Sequence, residues 1–531
     1  MEKALIINLT RMGDLIQTIG LVKSLTRKGY KVDFLCVESF SKILNYVPEI
    51  ENIIKINADN FLTNSSKNVF EKYLEIEEII NSLNQNNYSL LVNPIASIPS
   101  AYLSFIIKAK EKKGIVFTKN REQSIKSKWS AFHLANEHNS GDHGFNLVDI
   151  FGGVGDCKIS RNDYKINSKE KTDFGIRNNL PKIGFHIGAS KSNKTWEKEK
   201  FKTVILELLK EKCCNIILFG GYNELSLNPY FADVSSNLFI NRIGKTGLDE
   251  LISEISSLNL LVTNDTGPMH IAAIQKIPII DVSLGPVSLW ETSPYLEDCL
   301  IIEANIKCHP CKFSYICDHL SCHHLIQESH LLEAIKYKLN LENNLSNNQS
   351  VNFFQTKFDP AGYLHNVPLF KKNISEYDLF FELKRLIWIQ SLDPNLENDF
   401  QEKYLEYIKK YYFFENINLD FTILAKINTD IKYLLEKLKD LKNINLNSEK
   451  EIDRIKQTWT DVKGIKERLF NANNKKEIYD FFLFAKFRES SLNSLDIKNM
   501  ISETMNIYEL LHHQIKSLIK LLMRCNNESL S

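Results

Sequence analysis

Apolar positions along the chain follow two patterns in succession. In the first 340 or so residues, short apolar runs alternate with stretches of helical spacing. Ala4–Leu9 is a run of the kind buried in a parallel sheet, and Leu15, Ile19, Val22 and Leu25 then recur on one face of a helix. Val32–Val37, Tyr88–Val92 and Gly114–Phe117 read as further strands, with helical segments between them. The pattern loosens over the polar stretch Lys165–Pro181 and then restarts. Ile183–Ile187, Asn215–Phe219, Leu260–Thr263 and Ile277–Val282 are predicted strands, and Lys198–Lys212, Leu248–Ser257 and Pro268–Ile274 predicted helices. Strands separated by helices imply parallel βαβ units and doubly wound sheets, here as two α/β halves.

Another helical pattern ends near Leu341, and the Asn-rich run Asn343-Asn344-Leu345-Ser346-Asn347-Asn348 marks a linker. Beyond Asn373 almost no Gly or Pro occurs, and Tyr377–Ile389, Asp399–Phe413, Ile417–Leu441 and Asp496–Met523 carry the spacing of amphipathic helices. The expected organisation is α/β halves at 1–170 and 171–341, a linker at 342–372 and an all-α region at 373–531. That region is either a bundle packed on its own core or a module for assembly, through which the chain would form a homo-oligomer, or for docking a partner.

Composition narrows the class. The 66 Lys and Arg balance 65 Asp and Glu, for a net charge of +1 over 531 residues, so no global field draws the chain to nucleic acid. No run approaches the 18 apolar residues of a membrane helix, and the start lacks a secretory signal. The cytoplasm is the expected compartment, with a peripheral place at the inner membrane also open. Ten cysteines in a reducing compartment are expected as thiols or metal ligands.

Three loops at strand ends carry candidate chemistry. Arg11-Met12-Gly13-Asp14 follows the first strand, where a carboxylate can serve as a base and Gly13 admits a substrate closely. Asp14 equally suits a helix cap. Ile187-Gly188-Ala189-Ser190-Lys191-Ser192-Asn193-Lys194 follows the strand that opens the second half. Its small residues let backbone N–H groups face a ligand, with Ser190 among the donor-side candidates, and Lys194 offers a point charge to phosphate. The Walker A spacing is absent. Thr263-Asn264-Asp265-Thr266-Gly267-Pro268-Met269-His270 opens a helix with Pro in its first turn, and a helix N-terminus is an anion site. A plain capped helix with His270 in the core is the alternative.

Taken together, "IINLTRMGDLIQTIGLVKSL", "GFHIGASKSNKTWEKEKF", "ILFGGYNE" and "LVTNDTGPMHIAAIQKIPIIDVSLGP" resemble glycosyltransferase family 9, the ADP-heptose heptosyltransferases, over Ala4 to Leu339. The resemblance implies a GT-B fold of two Rossmann-like domains and transfer that needs no metal cofactor. The acceptor would lie against the first domain, beside Arg11 and Gly13, and the nucleotide-sugar against the second. Asp14 matches the general base and Lys194 the group that neutralises the leaving diphosphate. Glu224 matches the acidic residue that binds the ribose, and Asp265, Thr266, Gly267, Met269 and His270 the loop that holds diphosphate and sugar. Two positions depart from the family pattern, Ile187 in place of Pro and Asn93 in place of an acidic residue.

Cys308, Cys311, Cys317 and Cys322 fall within one short stretch with His309, His319, His323 and His324 between and beside them. A C-x2-C pair with two further thiols makes a four-thiolate set suited to structural zinc or iron, and four reduced thiols are the alternative. Similar cysteine sets occur in family 9 members that modify bacterial autotransporter proteins. From Lys108 to Lys128, eight basic residues, including Lys119 and Arg121, face only Glu111 and Glu122. That stretch is either a solvated edge or an acceptor-side patch for phosphorylated lipid sugar or acidic polypeptide, and it lacks the aromatic interleaving of a nucleic-acid platform. The leading expectation is therefore an inverting glycosyltransferase, with lipopolysaccharide core or a protein hydroxyl as acceptor. The contrasting expectation is an inactive, metal-bearing GT-B scaffold.

Overall fold

The computed structural model describes residues 2–57, 68–119, 123–138, 144–166, 171–176, 178–311, 317–342, 345–346, 349–414, 421–444, 449–471, 478–492 and 496–530. The chain divides into two compact units, Met1–Lys112 with Phe145–Phe370 and Lys113–Gly144 with Lys371–Ser531.

The first unit holds the two α/β halves. In the first half, β1 (Glu2–Asn8), β2 (Tyr30–Val37), β3 (Ile50–Ile56) and β4 (Tyr88–Asn93) lie in the order β3-β2-β1-β4, with β5 (Ala109–Phe117) beyond β4. Pairing of β1 with β2 and β4, and of β2 with β3, is parallel throughout. Leu5, Ile7, Leu35 and Leu91 are buried on one face against Leu103 and Ile107. Near-continuous apolar strands of this kind are what a sheet covered on both faces requires.

The second half builds an eight-stranded sheet from β7 (Lys182–His186), β8 (Asn215–Phe219), β9 (Phe239–Asn241), β10 (Leu260–Thr263), β11 (Ile279–Ser283), β12 (Leu300–Ala304), β13 (Val351–Phe358) and β14 (Leu364–Pro368). Their order is β14-β13-β12-β11-β10-β7-β8-β9. Phe185, Ile216, Val262, Val282 and Ile302 share one core with Phe201, Leu208, Leu331 and Ile335 of the flanking helices. The order reverses between β7 and β10, as it does in the first sheet between β1 and β4. In open α/β sheets the ligand crevice lies at that reversal, outside the carboxyl ends of the strands. The loops after β1, β7 and β10 all flank such a point. Two Rossmann-like sheets in tandem are the GT-B architecture.

The halves are tied by a buried polar lattice. Asn146 Nδ2 donates to Ser293 O at 2.8 Å, and Asp149 accepts from Tyr295 OH at 2.6 Å and from Leu364 N at 3.0 Å. The last contact uses a segment expected to be linker. Within 342–372 the structure instead forms β13 and β14, an antiparallel hairpin on the edge of β12. Val351, Phe353 and Phe358 are buried while Asn352, Gln355 and Lys357 are half-buried. An unpaired sheet edge is an open row of donors and acceptors, and this alternating segment fills it. Asn343, Asn344, Asn347 and Asn348 lie outside the described residues.

The second unit is mainly helical. It contains helices Glu376–Leu392, Phe400–Ile408, Thr422–Asn443, Glu449–Asn471, Tyr479–Ser490 and Ile497–Leu530. It also takes in the end of β5, β6 (Gln123–Ile125) and helix Lys128–His138 from the first part of the sequence. The helix expected over Asp399–Phe413 stops at Ile408, and β16 (Tyr412–Phe413) pairs with β15 (Lys372–Asn373). The helix expected from Ile417 is described from Thr422; residues 417–420 lie outside the described residues. Among the described residues no helix is long and apolar enough to cross a membrane.

Trp388 is the hub of this unit. It is fully buried between Phe132 at 4.9 Å, Phe481 at 4.7 Å and Phe484 at 5.1 Å between ring centroids. Its indole N–H donates to Asp480 at 2.9 Å, and Lys384 Nζ lies 3.5 Å from the same carboxylate. Removing one partner of a buried charge network leaves the other uncompensated. Asp480→Ala should therefore lower unfolding stability by about 3–5 kcal/mol, read as a shifted midpoint in denaturant titration; a shift under about 1 kcal/mol would remove Asp480 from the scaffold.

Candidate functional site

The loop after β1 is set by Asn8, which is fully buried. Its Nδ2 donates to Thr18 Oγ1 at 2.8 Å and to Asp14 O at 3.2 Å, and its Oδ1 accepts from Thr10 N at 3.1 Å. The helix Met12–Arg27 begins there with Arg11 as N-cap, and Arg11 makes no side-chain cap bond. Asp14 is therefore not the cap; it sits in the first turn, where the helix dipole favours a carboxylate. Arg11 itself is exposed.

The loops after β7 and β10 are locked together by Asn264. Its Nδ2 donates to Val282 O at 2.7 Å, and its Oδ1 accepts from Trp196 N at 3.2 Å. That places Lys194 Nζ 2.8 Å from Asp265 Oδ2, with side-chain exposures of 14% and 8%. Thr266 is the N-cap of helix Gly267–Ile274 but does not cap it with its side chain. Its hydroxyl lies 3.1 Å from Thr263 Oγ1 and 3.5 Å from His186 Nδ1. Met269 is fully buried, with its N–H bonded to Thr266 O at 3.1 Å.

The helix starts at Gly13 and Gly267 face each other. A Cβ on Gly13 would lie 3.2 Å from His270 Cδ2, and one on Gly267 would lie 2.5 Å from Met12 Cε. His270 Nε2 is 3.8 Å from Asp265 Oδ1. Asp14, His270, Asp265 and Lys194, from three loops spread over about 250 residues, thus form one constellation.

Burial governs its titration. Desolvation raises the Asp14 carboxyl, opposed by hydrogen bonds from Thr10 and the Arg11 backbone and by His270. Desolvation lowers His270 against the pull of Asp265 and Asp14, and its Nδ1 has no partner among the described residues. His270 is thus neither a satisfied core residue nor a solvated one. His186 is pushed down to about 4 by burial, so its ring is neutral at physiological pH.

Glu224 sits beside the loop after β7. Its Oε2 accepts from Gly221 N at 2.7 Å, and a Cβ on Gly188 would come within 2.6 Å of its carboxyl carbon. A side chain at position 188 would displace that carboxylate from where it lies. Ser190 is exposed.

Two residues of the site were not anticipated from sequence. His186 ends β7, and Asp281 lies on β11 level with Thr263. Asp281 is buried with both carboxylate oxygens unpartnered among the described residues. Desolvation first, and then Asp265, raises it well above the usual carboxylate range. The available signal was an acidic residue inside the apolar run Pro278-Ile279-Ile280-Asp281-Val282.

Among the described residues no group of three or more His, Cys, Asp or Glu side chains is arranged to hold a metal ion. Cys308, Cys311, Cys317 and Cys322 share one neighbourhood all the same. Burial and then the charges of Cys317, Cys322 and Cys308 push the Cys311 thiol up to about 11. In the basic stretch, Lys112 reaches Phe105 O at 3.0 Å, and burial lowers its amine. Arg121 and Glu122 lie outside the described residues.

Residues 76–318 match the model of glycosyltransferase family 9 (heptosyltransferase). Lipooligosaccharide heptosyltransferase 2 of Campylobacter jejuni is 30% identical over 142 residues, covering 26% of this chain and 44% of that protein. The chain thus spans under half the length of that relative. Lipopolysaccharide heptosyltransferase 1 of Campylobacter coli is 22% identical over 302 residues, 53% of this chain and 83% of that protein. Among solved structures, Escherichia coli ADP-heptose lipopolysaccharide heptosyltransferase II gives a TM-score of 0.47 at 17% identity, covering 64% of this chain and 100% of that one. The tandem Rossmann-like sheets and the strand-end loops define a GT-B protein. Over the matched stretch the chain is similar to glycosyltransferase family 9.

Gly285 tests the loop geometry directly. Its φ is +61°, and a Cβ there would lie 2.3 Å from Asn193 O, a backbone atom. Gly285→Ala should lower stability by about 2 kcal/mol or more and disturb the Lys194 loop; a melting curve identical to that of the parent chain would contradict this geometry.

Proposed function

We propose that the protein is an inverting glycosyltransferase that moves heptose from ADP-heptose onto a hydroxyl of the lipopolysaccharide core. The observation that carries this reading is the meeting of Asp14 with His270, Asp265 and Lys194 at the strand ends of two Rossmann-like sheets. The heptosyltransferases of Campylobacter jejuni and Campylobacter coli to which the chain is similar supply the sugar and the acceptor class.

Transfer to a hydroxyl needs a proton acceptor, a clamp on the departing diphosphate and exclusion of water. Asp14 takes the acceptor proton. Its burial keeps the carboxylate basic, which suits it to that task. Lys194 meets the diphosphate as a point charge, with the first turn of helix Gly267–Ile274 offering N–H groups. Thr266 and Gly267 shape that turn, and Asp265 holds Lys194 until the anion arrives. Glu224 receives the ribose hydroxyls beside Gly188. The acceptor oxygen attacks the anomeric carbon opposite the diphosphate, the carbon–oxygen bond to phosphate breaks, and the configuration inverts because no enzyme nucleophile intervenes. Preorganised donors around the leaving charge supply much of the acceleration.

Cys308, Cys311, Cys317 and Cys322 are assigned to one structural zinc or iron ion. Four soft thiolates gathered in one neighbourhood suit either metal, and the role is to staple the loop rather than to take part in transfer. The inactive-scaffold reading has less support, because each group the transfer needs is present.

Asp14→Asn should reduce the rate of transfer by about 10²–10⁴-fold with the fold intact. For the parent chain, protonation of Asp14 removes the base, so kcat should fall as pH drops. Since burial raises this carboxyl, the fall should begin above the ordinary carboxylate range. A pH–rate profile with no acid limb, or full activity in Asp14→Asn, would reject the base assignment. Mass spectrometry of reactions with ADP-heptose fixes the acceptor: heptose mass on core oligosaccharide supports the proposal, whereas heptose on a polypeptide moves it to protein glycosylation. Elemental analysis of protein purified without added metal should give close to one zinc or iron per chain; metal-free protein with four titratable thiols would reject the staple.

A further inference from the structure

The residue before Lys194 is clamped from outside its own loop. Asn193 O accepts a hydrogen bond from His323 Nε2–H at 3.1 Å, and His323 is 3% exposed. The same carbonyl packs on Gly285 so closely that only glycine fits there. Gly285 is in turn fastened to the cysteine stretch: Cys311 N donates to Gly285 O at 2.9 Å, and the Gly285 backbone hydrogen-bonds Cys322. Behind the loop, Lys200 Nζ donates to His323 O at 2.7 Å and to Ile326 O at 2.9 Å, and Trp196 Nε1 donates to Ile326 O at 3.2 Å.

Backbone groups at a turn can rotate unless something outside the turn fixes them. Ser192–Lys194 is a single 3-10 turn, held internally by Lys194 N to Lys191 O at 3.1 Å, Thr195 N to Ser192 O at 3.1 Å and Thr195 Oγ1 to Lys191 O at 3.0 Å. Such a turn does not by itself determine where the Lys194 side chain points. We infer that His323 is a positioning residue: through the Asn193 carbonyl it fixes the peptide that carries Lys194, so that Cys311 and residues 322–326 brace the donor-side cation. This rests on the reading of Lys194 as the diphosphate ligand. The brace makes the ammonium available at one place before the anion arrives, which lowers the ordering cost of binding.

The test uses the 531-residue chain and two nucleotides that differ by one phosphate. Titration calorimetry with ADP should show about fivefold weaker binding in His323→Ala. Binding of AMP, which lacks the outer phosphate, should stay within about twofold of the parent. His323→Gln, which keeps an N–H donor, should recover most of the loss. In a Lys194→Ala background, adding His323→Ala should weaken ADP binding by less than about twofold, because the two residues act as one unit. Equal losses for ADP and AMP, unchanged ADP binding, or full additivity with Lys194→Ala would each overturn the proposal. Hydrogen exchange at the Lys194 and Thr195 amides tests the brace without any nucleotide. Faster exchange in His323→Ala, at an unchanged melting temperature, supports it, and unchanged exchange rejects it. If the parent chain binds neither nucleotide, the donor reading fails, while the exchange measurement still decides the brace.

Discussion

The ion pair between Lys194 and Asp265 is the contact that the loops after β7 and β10 are arranged to hold. At 2.8 Å and with little exposure, each charge depends on the other, because a lone charge in such a place is strongly destabilising. The pair joins loops from β7 and β10, the two strands on either side of the point where the sheet order reverses. Asn264 makes this possible by bonding Val282 O on one side and Trp196 N on the other. The loops are thus fixed by backbone contacts, and the charges meet because their backbones have already been placed.

Three acids in this region differ in their partners. Asp265 has a cation in contact. At Asp14 desolvation outweighs the Thr10 hydroxyl, the His270 imidazole and the Arg11 backbone, Asp265 adds to it, and the carboxyl rises. Asp281 has no hydrogen-bond partner among the described residues and rises further. Burial likewise holds His186 neutral and lowers His270. Burial thus works against charge on Asp14, Asp281, His186 and His270, while Lys194 is a cation paired with Asp265. In the proposed transfer, an anionic donor would meet a lysine already paired with a carboxylate.

The helical unit is organised by different means. Its core centres on one tryptophan whose ring is surrounded by three phenylalanines and whose N–H is bound to a buried aspartate. One of those phenylalanines, Phe132, comes from a helix some 250 residues earlier in the chain than Trp388. A long sequence separation of this kind raises the loop-closure entropy only slowly with length, so a distant segment can still be recruited to a core.

Local pattern determined most of the elements. The runs of β1, β8 and β10 and the helical spacing after each are set by the two periods of backbone geometry, which a short window of sequence records. The glycines and polar residues of the strand-end loops were equally visible, because they interrupt apolar runs. What the tertiary structure decided is the choice of partners. Residues 351–368 became strands because the edge of β12 was open, and the Asn-rich neighbourhood that read as linker carried no record of that edge. Residues 113–144 joined the helices because Phe132 fits against Trp388. Asp281 and His323 gained their places from contacts with segments far away in sequence. Periodicity is a property of neighbours along the chain, whereas pairing, burial and charge environment depend on which distant surfaces meet, and only the folded chain specifies those.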